Sequence, residues 1–117
     1  MSGIELIAAE RERQTSAEGY TPEHDDDHNT GDLPAAASAY TLLVCDQVYP
    51  EQYKSFEEQA KERCEKGWPW DEEMWKPSPD PIRNLVKAGA LIAAEIDRLQ
   101  RIAPPPVAKN WCAAALK

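Results

Sequence analysis

Between Arg13 and Lys54 the chain has no lysine or arginine, and its first 80 residues carry 19 acidic side chains against 7 basic ones. A field of that sign repels phosphate backbones, so direct, non-specific nucleic-acid binding is excluded over most of the surface. Cysteine is scarce: Cys45, Cys64 and Cys112 are odd in number and lack zinc-ligand spacing, which argues against a disulfide framework and predicts reduced thiols. No apolar run approaches the length of a membrane span, and Met1-Ser2-Gly3-Ile4-Glu5 lacks the basic and apolar regions of a signal peptide. A cytoplasmic protein with no membrane partner is the expectation. No alternating run of β-branched residues is present, which excludes a sheet, and none of the five glycines builds a phosphate-cradling loop. The two histidines lie too close together for a Ser-His-Asp or Cys-His arrangement, so nucleophilic catalysis is unsupported.

What remains is helical. At 117 residues the chain is expected to form one all-α domain, a small helical bundle over residues 1–103 followed by a proline-led tail, 104–117. Ser2 with Glu5 is a capping-box pattern opening a helix to about Gly19, with Ile4, Ile7, Ala8 and Arg11 on one face and only its first two turns able to dock. Thr21-Pro22 opens a short acidic turn that Gly31 closes. Asp32 starts a core helix to about Tyr49, in which Ala37, Tyr40, Thr41, Val44 and Val48 recur at three- and four-residue steps, beside Leu33, Ala36, Leu43 and Gln47. A polar helix is predicted over Glu51–Lys66, stopped by Gly67. Asp80-Pro81 caps the longest helix, to about Ala103, with Ile82, Leu85, Val86, Gly89, Ile92, Ala93, Ile96 and Leu99 as its inward face. The helices near 33–49 and 81–103 form the centre. Arg83, Lys87, Arg98 and Arg101 fall on the outer, solvated face, and the small-residue run Ala88–Ala94 suits close approach by a second copy, a possible homodimer.

Between the last two helices, Gly67 to Pro81 holds four of the ten prolines and three of the four tryptophans. Prolines at that density exclude a continuous helix or central strand, so an ordered loop held by aromatic packing is expected.

Several segments together resemble a family of small proteins encoded by tailed phages and prophages. They are Glu10-Arg11-Glu12-Arg13-Gln14, Glu18-Gly19-Tyr20-Thr21-Pro22-Glu23-His24-Asp25-Asp26, Gly31-Asp32-Leu33 with Ala36, Ala37 and Tyr40, Trp68-Pro69-Trp70, Trp75-Lys76-Pro77, and Leu85 to Leu99. The resemblance spans most of residues 5 to 100, apart from about 46–66. Asp32 stands where the family has Glu, and Tyr20 where it has Trp. It implies a viral accessory protein in the host cytosol and no particular reaction.

Three constellations bear chemistry. His24 and His28, four residues apart, share a face of a helical turn, and Asp25 and Asp32 add candidate oxygen ligands for a divalent metal. The alternative is a solvated acidic turn, or, with Asp26 and Asp27, a partner-binding patch. An HD-type phosphohydrolase needs a further upstream histidine, which is missing. Asp27, Asp32 and Glu95 invite comparison with MazG-like all-α nucleotide pyrophosphohydrolases, whose facing helical carboxylates hold Mg²⁺. The dense acidic motif of those enzymes is absent, and Arg98 is within reach of Glu95. Trp68, Trp70 and Trp75 present faces for a nucleobase, with Lys76 or Lys87 for a phosphate, or else they form the lid of the core. The function expected is therefore a non-enzymatic accessory protein that binds and blocks a host protein, with counter-defence as its setting and no required cofactor. A Mg²⁺-dependent pyrophosphohydrolase or a nucleotide-binding sponge is the alternative.

Overall fold

A computed structural model describes residues 1–28, 30–52 and 68–102. The helix predicted over 51–66 lies outside the described residues from 53 on, Glu51 and Gln52 being in a turn; the tail 104–117, Cys64 and Cys112 also lie outside them. Within them the domain is all-α: α1 (Gly3–Ala17), α2 (Pro22–Asp26), α3 (Asp32–Val48) and α4 (Pro81–Arg101), with a 3-10 turn at Glu72–Met74. Among the described residues no helix is long and apolar enough to cross a membrane.

Local chemistry sets the helix starts. The Glu5 amide donates to Ser2 Oγ and the Ser2 amide to Glu5 Oε1, so the capping box is closed in both directions. Thr21 Oγ1 accepts from the His24 amide at the start of α2, and Asp80 Oδ1 from the Ile82 amide at the start of α4, each with proline in the first turn. Gly31 precedes α3 with φ +87°, a left-handed conformation that costs glycine nothing.

Among the described residues α3 and α4 make the most extensive pairing, with α1 and α2 laid against α4. Their interface is built mostly from small side chains: Leu33, Ala36, Ala37 and Tyr40 of α3 meet Ala88, Leu91 and Ala94 of α4, and Trp68, Trp70 and Trp75 pack against the cluster. Thr41 and Val48, expected inside, are exposed, and the Thr41 hydroxyl donates to the Ala37 carbonyl.

The orientation of α4 differs from the sequence expectation. Ile82, Leu85, Ile92 and Ile96 are about half exposed, whereas Asn84, Val86, Ala88, Ala90, Leu91, Ala94 and Arg98 are buried. Two apolar stripes run along nearly opposite sides of this helix, and the stronger hydrophobic one is not the one that packs. Alanines face alanines across α3 and α4, which lets the backbones come close. The polar residues on that side are buried with partners already made. Of the run expected to form a homodimer face, Ala88, Ala90, Leu91 and Ala94 are buried within the chain and Ile92 is about half exposed. Arg98 Nε donates to Glu95 Oε1 at 2.6 Å, and Asn84, with no exposure, bonds to α3 and to the tryptophan loop. Arg83 and Arg101 are likewise not simply solvated: they reach Glu10 and Asp26, each at 2.7 Å.

α1 also docks through a part expected to stay free. Ile4 is 82% exposed, while Glu10 and Gln14 in the polar stretch are buried. Glu10 accepts from Arg13 (2.7 and 2.8 Å), Arg83 (2.7 Å) and Gln14 (3.3 Å). Burial pushes its carboxyl upward, but the Arg13 and Arg83 hydrogen bonds and charges outweigh this and hold it below the usual range. Close approach of α1 to α4 is fixed at Gly89, where a β-carbon would lie 2.6 Å from Ile7 Cδ1.

Candidate functional site

The chain enters α2 through Gly19, whose φ of +74° turns it back after α1. This places His24 on the last turn of α2 and His28 just beyond it. Their Nε2 atoms converge to 3.4 Å. On the far side of each ring stands a carboxylate: His28 Nδ1 lies 3.0 Å from Asp32 Oδ2, and His24 Nδ1 lies 3.4 Å from Asp25 Oδ1. The carboxylates are themselves held. Asp25 is fully buried and its Oδ2 accepts from Arg11 Nη2 at 2.8 Å; Asp32 Oδ1 accepts from the Thr30 hydroxyl at 2.6 Å. The Thr30 hydrogen bond is the main cause holding the Asp32 carboxyl below its ordinary value, opposed by burial and helped by His28.

Aromatic rings fix both imidazoles. Tyr20 stacks on His24 with centroids 4.7 Å apart and planes 3° from parallel, and Trp70 lies 5.2 Å from His28. In front of the pair opens a cleft of about 500 Å³, lined by Tyr20, His24, His28, Pro69, Trp70, Asp71 and Met74. Its size is within the ordinary range of small ligand sites.

The sequence-predicted residues divide accordingly. His24, His28 and Trp70 meet at the cleft. Asp25 and Asp32, expected as oxygen ligands, instead sit behind the rings on the Nδ1 side, because Arg11 and Thr30 bind their other oxygens. Asp26 pairs with Arg101, and Asp27 is exposed at the end of α2. Trp68 and Trp75 form the lid of the core, packing on Tyr40 with centroids 5.6 and 4.7 Å away. Lys76 and Lys87 do not face the cleft. Lys87 Nζ donates to the Lys76 carbonyl at 2.7 Å and lies over the Tyr40 ring, and burial holds its ammonium below the usual range. Both line an adjoining cavity of about 60 Å³, which shares Tyr20, Trp70 and Met74 with the cleft and is too small for a nucleotide. Glu95 is held by Arg98, and among the described residues no three His, Cys, Asp or Glu side chains assemble as a metal-holding group.

Arg11, Tyr20, Thr30, Pro69, Asp71 and Met74 are the site residues that sequence reasoning did not assign. Tyr20 carried a local signal, since it stands four residues before His24. Asp71 and Met74 carried none, because only the folded loop brings them beside α2. Comparisons with protein-family models, with curated proteins and with solved structures give no match.

Proposed function

We propose that the protein is a non-enzymatic phage or prophage accessory protein that binds and blocks a host protein, with counter-defence as its setting, and that the aromatic cleft beside α2 is its binding face. The observation that carries this reading is the cleft's lining. It offers aromatic and apolar walls from Tyr20, Trp70, Pro69 and Met74, an acidic residue at Asp71, and no lysine or arginine. The chain as a whole has a formal charge of -8. Such a site favours a basic side chain set among apolar ones, through cation–π and charge attraction, and offers a triphosphate no counter-charge. The nucleotide readings are less well supported for the same reason, and because Glu95 is engaged by Arg98 and Asp32 by Thr30 and His28.

Matched pull-downs from host lysate with the wild-type chain, Asp71→Lys and Met74→Asp test the reading. Both residues are exposed, so neither substitution disturbs the core. A host protein retained by the wild type and lost from both variants is the expected result. Equal retention by all three removes the cleft as the binding face. Release of pyrophosphate from a nucleoside triphosphate with Mg²⁺ removes the non-enzymatic assignment.

A further inference from the structure

We propose that His24 and His28 form a two-imidazole site for a borderline transition-metal cation, Zn²⁺ in the first instance, whose open coordination positions face the cleft. This rests on the geometry of the rings and not on the host-protein reading.

The separation of the two Nε2 atoms is the first ground. Tetrahedral Zn²⁺ binds imidazole nitrogen at about 2.0–2.1 Å, so two ligands on one ion stand about 3.3–3.4 Å apart. The observed distance is 3.4 Å. The second ground is proton placement. Carboxylates on the Nδ1 side of both rings, at 3.0 and 3.4 Å, favour the tautomer that carries its hydrogen on Nδ1. With both hydrogens on Nδ1, neither Nε2 has a proton to donate across their 3.4 Å separation, and the two lone pairs repel until a cation binds both. Carboxylate, imidazole and metal in line is also the usual outer-shell order of histidine metal sites, in which the carboxylate fixes the tautomer and raises ligand basicity.

Rigidity is the third. Asp25 is locked by Arg11 and Asp32 by Thr30, while Tyr20 stacks on His24 and Trp70 packs at a tilt against His28, so little reorganisation accompanies binding. Imidazole nitrogen suits Zn²⁺, Cu²⁺ or Ni²⁺, whereas Mg²⁺ and Ca²⁺ require oxygen ligands. Two protein ligands leave the remaining positions to water or to a donor group entering the cleft, which is also lined by Asp71 and Met74.

The test is a Zn²⁺ titration of the full chain at neutral pH against a competing chromophoric chelator, combined with long-range ¹H–¹⁵N spectra of the imidazoles. The chain has only two histidines, so the spectra hold two imidazole spin systems, which the single histidine variants assign, and they separate histidine binding from binding at the three cysteines. One Zn²⁺ per chain is expected, with both Nε2 resonances shifted, both Nδ1 still protonated, and no displacement by millimolar Mg²⁺. His24→Gln and His28→Gln should each weaken binding at least 10-fold, and Asp32→Asn by about 10- to 100-fold. Histidine resonances that do not move on saturation with Zn²⁺ overturn the proposal. So does unchanged affinity in both histidine variants. Because the spectra are read on the wild-type chain, a variant that fails to fold leaves the decision intact.

Discussion

Asn84 is the most demanding test of how this fold is held together. It sits on α4 with no exposed surface and makes three hydrogen bonds: Nδ2 donates to Gln47 Oε1 (2.9 Å) and to the Ser78 carbonyl (2.7 Å), and Oδ1 accepts from the Ser78 amide (2.8 Å). Gln47 Nε2 donates to the same Ser78 carbonyl at 2.9 Å, so α3, α4 and the tryptophan loop meet at one side chain. Asn84→Ala removes all three bonds and strands the Ser78 amide. At about 0.5–1.5 kcal/mol per hydrogen bond, the loss should be about 2–4 kcal/mol, a large share of the roughly 5–15 kcal/mol that holds a domain of this size. Urea denaturation followed by far-UV circular dichroism measures it, and the corresponding fall in Tm is about 10 °C. Gln47→Ala in the same background should prove strongly non-additive, with a coupling above about 0.5 kcal/mol. A loss below about 0.5 kcal/mol for Asn84→Ala, with additive behaviour in the double variant, refutes the claim that this node organises the fold.

The two apolar stripes of α4 make opposite predictions. Ala90→Leu, at a position with no exposure, should cost about 1–3 kcal/mol by overpacking, whereas Ile96→Gln, about half exposed, should cost less than about 1 kcal/mol in thermal melts. Glu10 predicts an acid transition: its folded carboxyl lies below the ordinary 4.5, so its contribution is complete above that value and is lost as pH falls through the depressed one. Glu10→Gln should flatten that part of the stability–pH curve, and a curve of unchanged shape contradicts the assignment.

The features legible in the sequence are those a few neighbouring residues decide. Ser2 with Glu5, Thr21-Pro22 and Asp80-Pro81 each complete a helix start through atoms within three residues, so their outcome needs no knowledge of the rest of the chain. The shared face of His24 and His28 follows from the same local geometry. The all-α class followed from three- and four-residue spacing together with the lack of any alternating run.

Tertiary structure alone decided which face of α1 and of α4 is inside, whereas on α3 Leu33, Ala36, Ala37, Tyr40 and Val44 are buried as their spacing implied. On α4 the aliphatic stripe outranks the alanine stripe by hydrophobicity, yet α3 presents alanines, and complementary shape selects the close-packed pairing. On α1 the polar run docks because Arg83, 73 residues away, supplies half the counter-charge of Glu10. The cleft follows the same rule: Trp70 reaches His28 across some forty residues, and the Asp25 and Asp32 carboxylates turn behind the rings once Arg11 and Thr30 are in place. Local sequence specifies the conformations that cost least over a few bonds. Which surfaces then meet depends on pairs of residues far apart in the chain, whose fit exists only when both are placed.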